Sequence, residues 1–90
     1  MEIKISGNDI LHGGKKIGWF EGHRIFNEDG RKVGYFEDRY VYDSDGRRVG
    51  YVNGNRVERY DGTPGFPLDD VREEVAGGGL SDLGRTAVLL

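Results

Sequence analysis

The ninety residues contain no cysteine, only 2 prolines and a single tryptophan. Without cysteine the chain forms neither a disulfide nor a thiolate zinc site, so packing alone must hold a small domain together. No apolar run approaches the roughly 18 residues that a membrane-crossing helix needs. The first residues, Met-Glu-Ile-Lys-Ile, lack the charged region and apolar stretch of a secretory signal. The expected location is therefore the cytoplasm, with peripheral membrane association left open. A basic excess is also missing: 13 Lys and Arg stand against 16 Asp and Glu, net −3, so no nucleic-acid partner is expected. Ninety residues allow one small domain, not two.

What is plentiful is glycine, with 16 residues, and repetition. Lys15 to Gly30 reads KKIGWFEGHRIFNEDG, Arg31 to Gly46 reads RKVGYFEDRYVYDSDG, and Arg47 to Gly62 reads RRVGYVNGNRVERYDG. The period is sixteen residues without a gap. A degenerate copy precedes them, in which Ile5, Gly7, Asn8, Ile10 and Leu11 stand where Phe20, Gly22, His23, Ile25 and Phe26 stand, with a closing turn one residue shorter. Tandem repetition of this kind signals stacked supersecondary units.

Each copy reads as a β-hairpin. Val, Ile, Tyr, Phe and Trp fill the strand positions and Gly, Asn and Asp bound them. Gly7-Asn8, Gly22-His23 and Gly54-Asn55 suit two-residue turns, and Asp38-Arg39 holds the equivalent place with a poorer fit. A two-residue turn fixes register, and register fixes the faces. Phe20 then opposes Ile25, Phe36 opposes Val41, Val52 opposes Val57 and Ile5 opposes Ile10 on one face. The other face carries Trp19–Phe26, Tyr35–Tyr42, Tyr51–Glu58 and Lys4–Leu11, joined by Ile17, Val33 and Val49. Gly18, Gly34 and Gly50 fall in register on the first face, where the wall bends or something packs close.

Eight short antiparallel strands close naturally into a small barrel, which removes exposed edges; an open meander and a linear hairpin stack are the alternatives. After residues 1–62, the breaker-rich stretch 63–67 reads as a linker. In residues 68–90, Leu68, Val71 and Val75 place a short helix with Asp69 or Asp70 as its cap, ended by Gly77-Gly78-Gly79. Leu80, Leu83, Ala87 and Leu90 form a second helical stripe, weakened by Gly84; residues 86–90 fit a strand as an alternative. The expectation is an all-β fold of four tandem hairpins in a shallow pseudo-four-fold barrel, with this segment packing in or against it.

Chemistry is thinly signposted. Asp29, Asp43, Asp45 and Asp61 beside glycines evoke calcium loops, but the full twelve-residue frame is not met. His12 and His23 fall at turns in no metal-ligand spacing. No Ser-His-Asp frame is readable and no cysteine nucleophile exists. No catalytic residue, metal or cofactor is expected, and the chain is not expected to be an enzyme. Two groups stand out as candidate binding residues. The basic pairs Lys15-Lys16, Arg31-Lys32 and Arg47-Arg48 would gather on one rim of a closed ring with the Asp-Gly turns, either as partners of those carboxylates or as a site for an anionic lipid head group. Trp19, Tyr35 and Tyr51 would form an aromatic face.

The repeat frame Lys15–Gly30, Arg31–Gly46 and Arg47–Gly62, with its degenerate first copy and apolar C-terminal segment, resembles the four-fold beta-flower domain, a bacterial family of shallow barrels of four hairpins. The resemblance covers about Glu2 to Gly62 and extends into the tail. It implies the fold and carries no enzymatic activity. The barrel shape is similar to that of tubby-like domains, which bind phosphoinositides, and fold alone does not give function. Tyr42-Asp43-Ser44-Asp45-Gly46-Arg47 also resembles the tyrosine–aspartate repeats of secreted shell proteins. Gly18-Trp19-Phe20 with Asn27-Glu28-Asp29-Gly30 is similar to choline-binding cell-wall repeats. The leading functional expectation is a non-catalytic binding or structural module acting through self-association or a protein partner. The alternatives are a domain for anionic lipid surfaces and a cell-wall-ligand module.

Overall fold

A computed structural model describes residues 3–90, so Met1 and Glu2, the latter opening the expected first copy, lie outside the described residues. The four hairpins are β1 (Ile3–Ser6) with β2 (Asp9–His12), β3 (Lys15–Glu21) with β4 (Arg24–Asn27), β5 (Lys32–Glu37) with β6 (Tyr40–Asp43), and β7 (Arg48–Asn53) with β8 (Arg56–Arg59). The expected registers are met: Ile5 faces Ile10, Phe20 faces Ile25, Trp19 faces Phe26, Phe36 faces Val41 and Val52 faces Val57. Successive hairpins pair with one another, and two short strands extend the sheet at its ends, β9 (Phe66–Pro67) beside β8 and β10 (Val75–Gly77) parallel to β1. A flat sheet of ten strands at about 4.8 Å spacing would be some 43 Å wide; the molecule measures 30 × 28 × 20 Å, so the sheet curls. The result is the all-β shallow barrel. Its hydrogen-bonded ring is left open between β9 and β10, and the helix α1 (Leu68–Glu74) connects those two edges directly.

Between hairpins the sheet is irregular in the same way three times. Ile10 pairs with Gly18 but Leu11 with Lys16; Ile25 pairs with Gly34 but Phe26 with Lys32; Val41 pairs with Gly50 but Tyr42 with Arg48. One residue of each copy, Ile17, Val33 and Val49, is therefore extra: a β-bulge, which bends a strand and re-aims its side chain. The bulges correct the expected facing of these three residues. Instead of joining the outer aromatics they line the inside with the second helix, although Val33 keeps 45% of its surface exposed. The following glycines are buried because the compressed chain runs against the opposite strand. A Cβ on Gly34 would sit 2.7 Å from the Tyr42 carbonyl oxygen, and one on Gly18 would clash with that of Phe26.

The helix α2 (Asp82–Leu89) fills the inside, packing on β5, β6 and β7. The core joins Ile3, Ile5, Ile10, Phe20, Ile25, Phe36, Val41 and Val75 of the sheet to Ala87, with Leu80, Leu83 and Leu90 of the expected stripe packed against it. Gly84, the residue that weakened the helical reading, is required there: a Cβ would lie 2.5 Å from Leu80 Cδ1 and 3.1 Å from Phe36 Cζ. Residues 86–90 thus complete a helix and not a strand. Ser81 caps it, its hydroxyl accepting from the Gly84 N–H at 3.1 Å. For α1, Leu68 and Val71 are buried as expected, but the cap residue is Pro67, without a side-chain bond; Asp69 and Asp70 lie in the first turn. Val75 is buried too, as the start of β10.

Within 63–67, Phe66 and Pro67 continue the repeat. The Phe20, Phe36 and Val52 N–H groups donate to the Asn8, His23 and Arg39 carbonyls, and the Leu68 N–H donates to that of Asn55 in the same way. Leu68 stands sixteen residues after Val52. The stretch is the first strand of a fifth unit whose second strand is replaced by α1.

Candidate functional site

The inter-hairpin turns are built by their first side chain. The Asn27 Oδ1 accepts from the Asp29 and Arg31 N–H groups, both at 3.0 Å, and the Asp43 Oδ1 from those of Asp45 and Arg47, both at 2.9 Å. Asp61 takes the Thr63 N–H at 2.9 Å. These are Asx turns, in which a short side chain substitutes for a backbone turn. The N–H of Arg47, with that of Asp45 and the Arg47 guanidinium, holds the Asp43 carboxyl below the usual carboxylate range; the hydroxyl and N–H of Thr63 do the same for Asp61. Of the carboxylates that evoke calcium, Asp43 and Asp61 are thus engaged in holding their own turns, whereas at Asp29 the turn is held by Asn27.

The six basic residues separate into two sets. Lys15, Arg31 and Arg47 stay on the rim. Arg47 is bound to Asp43 at 3.1 Å and Asp45 at 3.3 Å, Lys15 lies 3.9 Å from Glu28, and Arg31 makes no ion pair among the described residues. Lys16, Lys32 and Arg48 fold onto the outer face. The Lys16 ammonium lies 5.2 Å from the Trp19 ring centre, Lys32 lies 4.7 Å from Tyr35, and the Arg48 guanidinium lies 3.7 Å from Tyr40. These are cation–π distances. Hydrogen bonding with Tyr42 raises the pKa of Arg48 further, so the guanidinium stays charged at any working pH.

The three expected aromatics belong to a longer belt. Trp19 stacks on Phe26 at 5.6 Å, and Tyr35 on Tyr42 at 4.6 Å. Tyr42 meets Tyr40 at 6.3 Å, Tyr40 meets Tyr51 at 6.2 Å, and Tyr51 meets Tyr60 at 5.5 Å. Lys32, opposite Phe26 and over Tyr35, bridges the two halves. The belt runs across β3 to β8 on the face turned away from α2, and its rings are half-buried, except Tyr60, which is exposed. The sequence reading had placed Tyr42 on this face but singled out neither Tyr40 nor Tyr60. For Tyr40 the signal was there, since it lies two residues from Tyr42 in one strand and so shares its face.

Other side chains went unnoticed because their roles depend on tertiary approach. Arg85 donates to the carbonyls of Leu80 at 3.1 Å and Val75 at 2.6 Å, and to that of Gly77, tying down the connection between the helices. Arg72 of α1 reaches Asp69 and Asp82, each at 2.8 Å, and its hydrogen bonds hold the Asp82 carboxyl below its ordinary value. Arg59 lies beside the end of α2 with a buried Nε that has no hydrogen-bond partner. His23 stacks on Phe36 at 4.9 Å. Among the described residues no His, Asp and Glu cluster fit to hold a metal occurs, and no helix is long and apolar enough to cross a membrane.

No curated protein and no solved structure matches the chain. The family model described as 4-fold beta flower protein matches residues 23–71. That stretch begins at the turn of the second hairpin, takes in the next two hairpins and β9, and stops inside α1, covering more than half of the ninety residues. With four hairpins in repeat register around a central helix, the chain belongs to the 4-fold beta flower family.

Proposed function

We propose that the chain is a non-catalytic interaction module that associates with further copies of itself through the outer belt. One observation carries the reading: aromatic rings from Trp19 to Tyr60, interleaved with Lys16, Lys32 and Arg48, line a sheet face that neither helix covers. Tyr, Trp and Arg are the residues that dominate protein interfaces, because they bring large area at low entropic cost. The occupant follows from charge. On the opposite side of the ring, α1 exposes Asp69, Asp70, Glu73 and Glu74 against Arg72. A belt of cations and a helix of carboxylates on one molecule match head to tail, a heterologous contact that builds rings or chains. The rim supports a lipid surface less well, since Arg47 is held by two turn carboxylates, Asp43 and Asp45, whereas among the described residues Lys16 is the belt cation with an ion pair, to Asp9 at 3.1 Å.

Sedimentation equilibrium over a range of protein and salt concentrations tests this. The expected result is concentration-dependent growth beyond the monomer, weakened by salt. It is lost in Lys32→Glu/Arg48→Glu and in Asp70→Lys/Glu73→Lys, and regained when those two variants are mixed. A wild type that stays monomeric throughout, or a mixture that does not recover association, overturns the reading.

A further inference from the structure

The three bulges have a second consequence. By turning Ile17, Val33 and Val49 inward they leave a cleft of about 320 Å³ between the sheet and the last turn of α2, where Ala87, Val88 and Leu90 form the facing wall. That volume falls at the lower end of the roughly 300–1,000 Å³ of small-molecule sites. Its polar lining is confined to Asn27, Tyr42 and Asp43. The cleft continues into a second hollow of about 360 Å³, with which it shares Asp43, Val49 and Leu90. There the chemistry changes: Arg47, Arg48 and Arg59 line the hollow, together with Asp43 and Asp61. Asp45, just outside the hollow, also holds Arg47.

Arg59 is the cation with unspent capacity. Arg47 is bound to Asp43 and Asp45, and Arg48 lies against Tyr40. Among the described residues the Arg59 guanidinium has a single ion pair, from Nη2 to Asp61 at 3.5 Å, and its Nε is buried without a hydrogen-bond partner. A buried donor left unmade is costly, and a ligand that engages the guanidinium recovers that cost.

We propose that the cleft and hollow together form a binding site for a single-chain aliphatic carboxylate, with the tail against Ile17, Val33 and Val49 and the head group on Arg59. The apolar wall accepts a chain, and the one guanidinium with unspent capacity, Arg59, suits a single carboxylate better than a phosphate dianion. The apolar cleft lies on the inner side of the sheet, while the hollow reaches Arg48 and Tyr60 at the end of the outer belt.

The test is a methyl NMR titration of the full chain with hexanoate, octanoate and decanoate, and with decyltrimethylammonium as a probe of equal tail and opposite charge. Affinity is expected to rise about fourfold per added methylene while the tail still finds apolar wall. Shifts should concentrate on the Ile17, Val33, Val49 and Leu90 methyls, and the cationic probe should bind more weakly. Arg59→Gln should weaken decanoate about tenfold or more, as loss of a charge-assisted hydrogen bond does, and leave decyltrimethylammonium unweakened. Val33→Glu, at a position already partly exposed, should abolish decanoate binding. The proposal is overturned if decyltrimethylammonium binds as tightly as decanoate, if Arg59→Gln leaves decanoate unchanged, or if decanoate shifts none of these methyls. Both probes act on the wild type, so the test stands even if Val33→Glu fails to fold.

Discussion

Gly84 sits in the first turn of α2, and within a helix glycine costs up to about 1 kcal/mol relative to alanine. On propensity alone Gly84→Ala should stabilise. The packing says the reverse, because the new methyl would lie 2.5 Å from Leu80 Cδ1 and 3.1 Å from Phe36 Cζ. Overpacking of that kind costs about 1–3 kcal/mol, so the single variant is expected to be neutral or up to about 2 kcal/mol less stable. Leu80 is a flexible side chain that can shift if space opens; Phe36 cannot, being buried at 3% exposure between Phe20 and His23. Phe36→Leu removes the Cζ and opens that space, at the cost of a large-to-small core change. In its background Gly84→Ala should therefore become stabilising, by up to about 1 kcal/mol. The four proteins form a double-mutant cycle, read by urea denaturation, with an expected coupling of about 1–2 kcal/mol. Strict additivity, or a stabilising Gly84→Ala in the wild-type background, would refute the claim that α2 is seated by the Gly84–Phe36 contact.

Two more expectations follow from the turns and the helix junction. Asp38, at φ +61°, is the non-glycine residue with a left-handed backbone among those described, in the turn position that Gly7, Gly22 and Gly54 hold in the other hairpins. Asp38→Gly should raise the thermal midpoint, since relief of about 1 kcal/mol of left-handed strain outweighs the added freedom of the unfolded chain; a lowered midpoint would contradict it. Asp43, Asp61 and Asp82 all have carboxyl groups held below the ordinary aspartate value. The unfolded chain then binds these protons more readily, so the stability they add is complete above that value and is lost as pH falls through the lower folded values. Denaturant midpoints measured across acid pH should drop in that window, and Arg72→Gln should flatten the drop by releasing Asp82.

The hairpins were legible because each rests on local chemistry: a two-residue turn, a β-branched or aromatic alternation, and a repeat that shows the pattern four times. Phe20–Ile25 and Phe36–Val41 follow from the turn alone. The bulges were not legible, for a physical reason. Ile17, Val33 and Val49 are apolar on whichever face they lie, so a one-residue shift between hairpins leaves no trace in the hydrophobic pattern. The buried glycines that follow them were the trace, read correctly as close approach but not as extra residues. β9 was hidden by Pro64 before it, Pro67 within it and the missing basic pair, although the spacing from Val52 to Leu68 kept the period. The outer face was half legible: Trp19, Tyr35 and Tyr51 stand in matching columns, whereas Tyr40 and Tyr60 do not. Arg72 and Arg85 could not be singled out, since Asp82, Val75 and Gly77 reach them only through the fold, and Arg59 could not because its burial against the end of α2 is tertiary.

Repeats of this kind usually change in number by duplication, and an open stack tolerates that because each unit touches only its neighbours. Here the count is fixed by α1. Its seven residues connect the two ends of the sheet, a reach of about 10 Å at 1.5 Å per residue. One further hairpin would add two strands, about another 10 Å of arc at 4.8 Å each, and would widen the wall around an α2 that already fills the interior. A fifth hairpin would have to displace the connection, the inner helix, or both. The short helix therefore acts as a ruler, and a lineage carrying this clasp can vary its hairpins in sequence far more easily than in number.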